Sequence, residues 1–145
     1  DHKFIGYRTP PFEVDVEKGR LRLFAKAIGE TNPVYLDENA ARAAGYRSLP
    51  VPPTFFFCLE MERADPYDWF NDLGIPLGHV LHGSQSFTYH RTACAGDRLT
   101  YDAEVVDIYE KKGGALQFIV QRNHVRGADG ALVAEFDRAV VIRWS

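Results

Sequence analysis

From residue 84 onward, the chain is a succession of segments in which apolar and polar side chains alternate. Such alternation, with many β-branched and aromatic residues, predicts strands, here at 84–91, 98–108, 116–125 and 132–144. The connections at 111–114 and 127–130 carry glycines that suit hairpin loops, so we expect antiparallel neighbours. An eleven-residue strand spans on the order of 36 Å, longer than a flat sheet in so small a domain needs. The sheet is therefore predicted to curve around an apolar element.

That apolar element is predicted to be a helix beginning at Thr54. Residues 50–53 are expected to be extended, because a residue that precedes proline is driven out of the α region. Thr54 is a suitable N-cap, and residues 55–61 are almost entirely apolar, with three consecutive phenylalanines. We expect a long core helix here, buried on most sides.

The rest of the chain is predicted to be a short strand, two helices and an irregular segment. Changes in hydrophobic period indicate the strand at 12–16 and the helices at 17–28 and 37–44. Residues 63–83 carry glycines and prolines between aromatic residues, which predicts a partly ordered excursion. With no repeat and no linker, residues 1–145 are expected to form a single α+β domain.

Composition excludes several classes of function. The chain is 46% hydrophobic and 26% charged, and no apolar run approaches the ~20 residues that cross a bilayer, so we expect no membrane span. Its net charge of −3 and its scattered basic residues argue against nucleic-acid binding. Two cysteines without metal-type spacing indicate neither a disulfide framework nor a zinc site. We therefore expect a cytoplasmic protein without a metal or cofactor.

Three motifs give the chain a resemblance to a known family. The run from Phe24 to Tyr35, with Ala40 to Gly45 behind it, resembles the hydratase signature of MaoC-like proteins, whose core reads D-x-N-P-x-H. Residues 51–55, and residues 82–91 followed by 95–97, are similar to the FAS1-like dehydratase, or MaoC-type N-terminal, subgroup. This resemblance implies the hot-dog fold, in which a curved antiparallel sheet wraps a long core helix.

The resemblance also implies where a site lies. Glu30, Asn32 and Tyr35 occupy the positions of the family's aspartate, asparagine and histidine, so Glu30 and Tyr35 are the candidate catalytic residues and Asn32 a candidate substrate contact. Glu30 is one methylene longer than aspartate, and a tyrosine, with a pKa near 10, is a poor general base at neutral pH. A thioester carbonyl is expected against Pro53, Thr54 and Phe55, where helix N–H groups are exposed.

The histidines of the first long predicted strand are candidates to replace the family's catalytic base. His82 and His90 fall in the same phase of the alternation, so a regular strand places them on one face. His82 is the candidate base, because the neighbouring Gly83 lets the backbone approach a ligand closely. Gly83, Gln85 and His90 are candidate substrate contacts. The alternative for each is a packing or hydrogen-bonding role in the strand.

The resemblance implies a hydro-lyase, an (R)-specific enoyl-thioester hydratase or 3-hydroxyacyl-thioester dehydratase acting on acyl-coenzyme A or an acyl-carrier protein. In one version the chain is the acyl-binding subunit of a heterodimer whose MaoC-like partner brings the Asp/His dyad, as in the paired dehydratases of mycolic acid synthesis. In the other it is a homodimer that uses a different base. A non-catalytic acyl-coenzyme A-binding module and a thioesterase remain alternatives.

Overall fold

A computed structural model describes residues 2–144 of the protein. Five antiparallel strands form one sheet in the order β1-β3-β4-β5-β2. Their bounds are Arg8–Asp15 (β1), Val80–Tyr89 (β2), Arg98–Lys111 (β3), Leu116–Arg126 (β4) and Leu132–Arg143 (β5). The four strands predicted from alternation are confirmed, as are the antiparallel hairpins β3–β4 and β4–β5.

Strand β1 begins at Arg8, four residues before its predicted start at 12. The sequence Pro10-Pro11 argued against a strand, because proline cannot donate a ladder hydrogen bond. The two prolines lie where the register between β1 and β3 shifts, between Thr9 and Phe12, and β1 is at the edge of the sheet. An irregular edge strand tolerates both prolines.

Four α-helices precede or interrupt the sheet: Lys18–Ala27 (α1), Glu38–Ala43 (α2), Phe55–Glu60 (α3) and Asp68–Asp72 (α4). The predictions of α1 and α2 are confirmed. The core helix α3 begins where predicted but has only six residues, so the expectation of a long helix was wrong. Its end is closed by tight turns in which Glu62 and Arg63 donate to the carbonyls three residues earlier, and Pro66 follows.

The segment 63–83 is more ordered than predicted. It contains α4, whose Trp69 and Phe70 are buried, and β2 already begins at Val80. Trp69 and Phe70 pack with Val140 and Ile142 of β5 in a second apolar cluster beside the main core. Apolar contact with the sheet therefore orders a segment whose glycines and prolines suggested a loop.

The inner face of the sheet holds the core helix. Phe55, Phe56 and Leu59 of α3 are buried against the sheet together with Tyr101 and Phe136. The Tyr101 hydroxyl donates a hydrogen bond of 2.9 Å to the carbonyl of Phe56, which ties β3 to α3. This arrangement is the α+β hot-dog fold predicted above. Within the described residues, no helix is long and apolar enough to cross a membrane.

Candidate functional site

The Asn-Pro turn follows α1 and is held by its own side chains. Glu30 accepts hydrogen bonds through Oε1 from the backbone N–H groups of Thr31 (3.0 Å) and Asn32 (2.9 Å). Asn32 accepts in turn from the N–H of Val34 at 3.1 Å, which starts a 3₁₀ turn over Pro33–Tyr35. The longer side chain of Glu30 thus folds back on the backbone, and its carboxylate braces the turn.

Tyr35 stands at the end of this turn, where the family signature has histidine. Its ring is half-buried. Burial raises the pKa of the Tyr35 hydroxyl above its usual value, and the neighbouring Tyr46 and Glu30 add to that rise. The hydroxyl therefore keeps its proton around neutral pH and can donate a hydrogen bond to a ligand, but it does not take a proton from water.

The start of α3 offers fewer free donors than the sequence predicted. Thr54 is the N-cap residue, but its side chain makes no capping hydrogen bond. The N–H of Phe55 donates to the carbonyl of Pro52 at 2.9 Å, and the Tyr89 hydroxyl donates to the carbonyl of Pro53 at 2.8 Å. A thioester oxygen at Phe55 would therefore compete with a hydrogen bond that already exists.

A pocket of about 290 Å³, here called the tyrosine pocket, lies between the Asn-Pro turn and the start of α3. Its lining brings together three predicted site residues, Tyr35, Pro53 and His90. His90 lies 2.8 Å from a carboxylate oxygen of Glu135 through Nε2. That contact favours the tautomer with the proton on Nε2, which leaves Nδ1 as an acceptor. The tyrosine pocket thus combines a phenol donor with a carboxylate-oriented imidazole.

His82 lies in a different pocket, of about 360 Å³, which we call the aromatic pocket. Its lining includes Phe57, Met61, Trp69 and Phe70 beside His82, whose ring meets Phe57 edge-on at 6.0 Å between centroids. The expectation that His82 and His90 share a face was therefore wrong. The strand between them is irregular, because the register of β2 against β5 shifts between His82 and Ser84.

Gly83 explains that irregularity. A Cβ at Gly83 would lie 2.8 Å from the carbonyl oxygen of Ala139 and 2.9 Å from a methyl carbon of Val141, both on β5. Close approach of the neighbouring strand, rather than of a ligand, accounts for glycine at this position. Thr54, Asn32 and Glu30 line neither pocket.

A row of polar residues crosses the inner face of the sheet, and its buried members Glu60, Gln121 and Arg138 were not predicted from the sequence. Gln85 of β2 is in register with Arg138 of β5, and Arg138 with Gln121 of β4. Glu60 of α3 faces Arg138. Each carboxylate oxygen of Glu60 lies 3.4 Å from a guanidinium nitrogen of Arg138. Arg138 and Gln121 occupy positions in the alternating pattern whose side chains point to the inner face of the sheet. That position in the pattern is the one sequence feature that could have identified them.

Comparison with known proteins places this geometry in a family. Residues 3–136 match the family described as FAS1-like, dehydratase domain region. A UPF0336 protein of Saccharopolyspora erythraea is 37% identical over 146 aligned positions, covering 99% of this chain and 91% of the relative.

Solved structures agree with the family match. The C-terminally truncated HadBC complex of Mycobacterium tuberculosis, a 3R-hydroxyacyl-ACP dehydratase, is similar with a TM-score of 0.80 and 27% identity, over 95% of this chain and 96% of that one. A structure described as a MaoC-like dehydratase has a TM-score of 0.85 at 23% identity, over 98% of this chain and 43% of that one. The chain belongs to the FAS1-like dehydratase domain family, as its motifs predicted, and it shares the fold of the MaoC-like dehydratase.

Proposed function

We propose that the chain is the acyl-binding subunit of an (R)-specific enoyl-thioester hydratase or 3-hydroxyacyl-thioester dehydratase, acting in the cytoplasm in fatty acid metabolism. In this proposal, a second MaoC-like hot-dog subunit supplies the carboxylate and histidine that activate water. The chain contributes the pockets that hold an acyl group carried by coenzyme A or an acyl-carrier protein.

The observation that carries the proposal is the state of the two residues at the dyad positions. The carboxylate of Glu30 is bound to two backbone N–H groups, and the hydroxyl of Tyr35 has a raised pKa and keeps its proton. Addition of water to an enoyl thioester needs a base that accepts a proton near neutral pH. Neither residue meets that need, whereas a subunit with an intact dyad does.

Strand β2 offers a place for such a subunit. It is the last strand of the sheet, and within residues 2–144 it pairs with β5 alone. Its ten residues include no lysine, arginine, aspartate, glutamate or proline, the residues that commonly protect an edge from pairing. Edge-to-edge pairing of two hot-dog sheets would satisfy the backbone groups of β2. The similar HadBC protein is itself described as a complex.

The proposal is tested by an assay for hydration of crotonyl-coenzyme A, in which the loss of enoyl absorbance measures the reaction. We expect no turnover by the purified chain alone and turnover after co-expression with a hot-dog subunit that carries an intact D-x-N-P-x-H run. A Glu30→Asp/Tyr35→His variant, which restores the family residues, is expected to gain measurable activity without a partner. Robust turnover by the wild-type chain alone would contradict the two-subunit proposal.

The homodimer remains the second candidate, favoured by His90, which lines the tyrosine pocket and contacts Glu135. If the chain alone is active, His82→Ala and His90→Ala identify which histidine is the base, since only one of them shares a pocket with Tyr35. Release of free coenzyme A would instead indicate a thioesterase. Acyl-coenzyme A binding without turnover in either mixture would indicate a binding module.

A further inference from the structure

We propose that the aromatic pocket accepts an acyl chain whose far end carries a carboxylate, and that Arg138 receives that group. The inference rests on the function proposed above, because it names the class of acyl thioester that the chain holds. It is carried by the position of Arg138, its unused donors and the charge around it.

Arg138 contributes a fixed positive charge to a lining that is otherwise mainly aromatic and aliphatic. Its guanidinium carbon lies 5.7 Å from the ring centre of Phe57 and 5.9 Å from that of Trp69. The side chain is 7% exposed, so bulk water does not solvate it. An unsubstituted alkyl chain that entered this pocket would displace any water still bound to the guanidinium. It would offer the guanidinium no hydrogen-bond acceptor in place of that water.

The protein groups around the guanidinium do not satisfy all of its donors. It makes contacts of 3.4 Å with both oxygens of Glu60, longer than the usual range for a charge-assisted hydrogen bond, and it donates to the side-chain oxygen of Gln121. Its Nε is buried and has no partner within residues 2–144. Arginine offers five N–H donors and no acceptor, so the group that completes this site must bring acceptor oxygens.

The charges around Arg138 favour an anion over a neutral acceptor. Glu60 is 2% exposed and stands between two guanidinium groups, those of Arg138 at 3.4 Å and Arg63 at 4.0 Å. Arg63 is also largely buried, and its Nη2 has no partner within the described part of the chain. These three side chains sum to one excess positive charge. Asp102, which also acts electrostatically on Arg63, already faces His124 and Arg126.

A buried excess charge is costly unless it is paired, and a ligand carboxylate would pair it. A terminal hydroxyl group could accept one hydrogen bond but would leave the charge uncompensated. A carboxylate can accept two parallel N–H bonds from one guanidinium. The chemistry of the pocket therefore matches an ω-carboxyacyl thioester, with the apolar part of the chain against Phe57, Trp69 and Phe70.

Direct binding tests this inference independently of catalysis. Trp69 lies in the pocket, so its fluorescence reports occupancy once Trp144 is replaced by phenylalanine. The probes are octanoyl-coenzyme A and its analogues of equal chain length that end in a carboxylate or a hydroxyl. We expect the carboxylate analogue to bind at least tenfold more tightly than octanoyl-coenzyme A, and the hydroxyl analogue to fall between the two.

Substitutions test whether Arg138 causes the preference for the analogue that ends in a carboxylate. Arg138→Met is expected to abolish the tenfold preference, and Glu60→Gln, which removes the competing carboxylate, to increase it. The matched control is Arg122→Met, an arginine that pairs with Asp137 on the outer face of the same two strands; it should leave the preference unchanged. If Arg138→Met fails to fold, Glu60→Leu/Arg138→Met removes both buried charges and serves in its place.

The outcomes separate this inference from the proposed function. If none of the three thioesters binds, both are wrong. Equal binding of all three by the wild-type chain refutes the carboxylate site and leaves acyl binding intact. Equal binding of the hydroxyl and carboxylate analogues also refutes it, since a neutral acceptor would then suffice. A preference that survives in Arg138→Met would overturn the assignment of the residue.

Discussion

The buried pair of Glu60 and Arg138 predicts strongly non-additive effects of substitution on stability. The perturbations are Glu60→Leu, Arg138→Met and the two together, each chosen to keep roughly the volume of the original side chain. The two side chains are 2% and 7% exposed, so neither can recover its hydration when its partner is removed. Glu60→Leu leaves the guanidinium groups of Arg138 and Arg63 without their shared carboxylate, whereas Arg138→Met leaves Glu60 with only the longer contact of 4.0 Å to Arg63. The double variant leaves only Arg63 charged, and its guanidinium still donates to the carbonyl of Pro10.

The structure gives the magnitude. Two unit charges 3.4 Å apart attract by about 5 kcal/mol at an effective dielectric constant of about 20. This attraction is offset by the loss of hydration of both groups, so the pair as a whole contributes little. We expect Glu60→Leu to lower the free energy of unfolding by about 3–5 kcal/mol, Arg138→Met to lower it by about 3 kcal/mol because Arg63 still contacts Glu60, and the double variant to change it by about 1 kcal/mol or less. The coupling between the two sites is then at least about 5 kcal/mol.

Urea unfolding at one fixed protein concentration measures these energies, with the midpoint interpreted only where the slope m is unchanged. A second cycle on Arg122 and Asp137, a half-exposed pair on the outer face, is the control; its coupling is expected to stay below about 1 kcal/mol. The reasoning that the pair is closed to solvent would be refuted by either of two results. One is that the changes in unfolding free energy at Glu60 and Arg138 simply add in the double variant; the other is that a single variant leaves that free energy unchanged.

Three further predictions concern other contacts. Gly83→Ala places a Cβ 2.8 Å from a carbonyl oxygen of β5 and is expected to destabilise the fold by about 1–3 kcal/mol in thermal unfolding; Gly78→Ala, which has nothing within 4 Å, should be tolerated. Tyr101→Phe removes a buried hydroxyl bond of 2.9 Å to α3 and should cost about 1–2 kcal/mol, seen as a lower urea midpoint. The Arg47 guanidinium lowers the pKa of Asp97, so Asp97 stabilises the protein above the carboxyl's ordinary pKa of about 4, and that contribution is lost as the pH falls through the lower folded value. Asp97→Asn should therefore be less stable than wild type by about 1 kcal/mol at pH 7, and this gap should narrow as the pH falls below about 4, as measured by urea midpoints; a gap that does not narrow would contradict this.

Alternation of side chains was sufficient to predict the sheet, because each long strand buries one face and leaves the other partly in water. It could not predict how the strands shift against each other. The displacement at Gly83 depends on the backbone of β5, which is distant in sequence, and it separates His82 from His90. A pattern with period two cannot encode such a shift.

The sequence predicted which segments lie near each other, but not how their polar side chains pair. The motif around Asn32 and the segment before α3 do meet at one pocket, and Tyr35 and His90 line it. The core helix was predicted from apolar composition, which carries no information on where it ends; its length is set by the turns at 61–63. The Glu60–Arg138 pair was missed because a polar residue in the inward phase of a strand resembles an ordinary interruption of the pattern.

Strand β2 is both an edge strand of the sheet and part of the lining of the two pockets, through His82 at one end and Tyr89 at the other. Thermodynamic linkage then ties ligand affinity to assembly. If an acyl ligand strengthens pairing of a second subunit with this strand tenfold, pairing must strengthen ligand binding tenfold, or about 1.4 kcal/mol in each direction. In the proposed two-subunit enzyme, such coupling would make the assembled pair bind the acyl group more tightly than this chain does alone, and selection for a particular acyl group would act on the partner's edge as well as on the pockets.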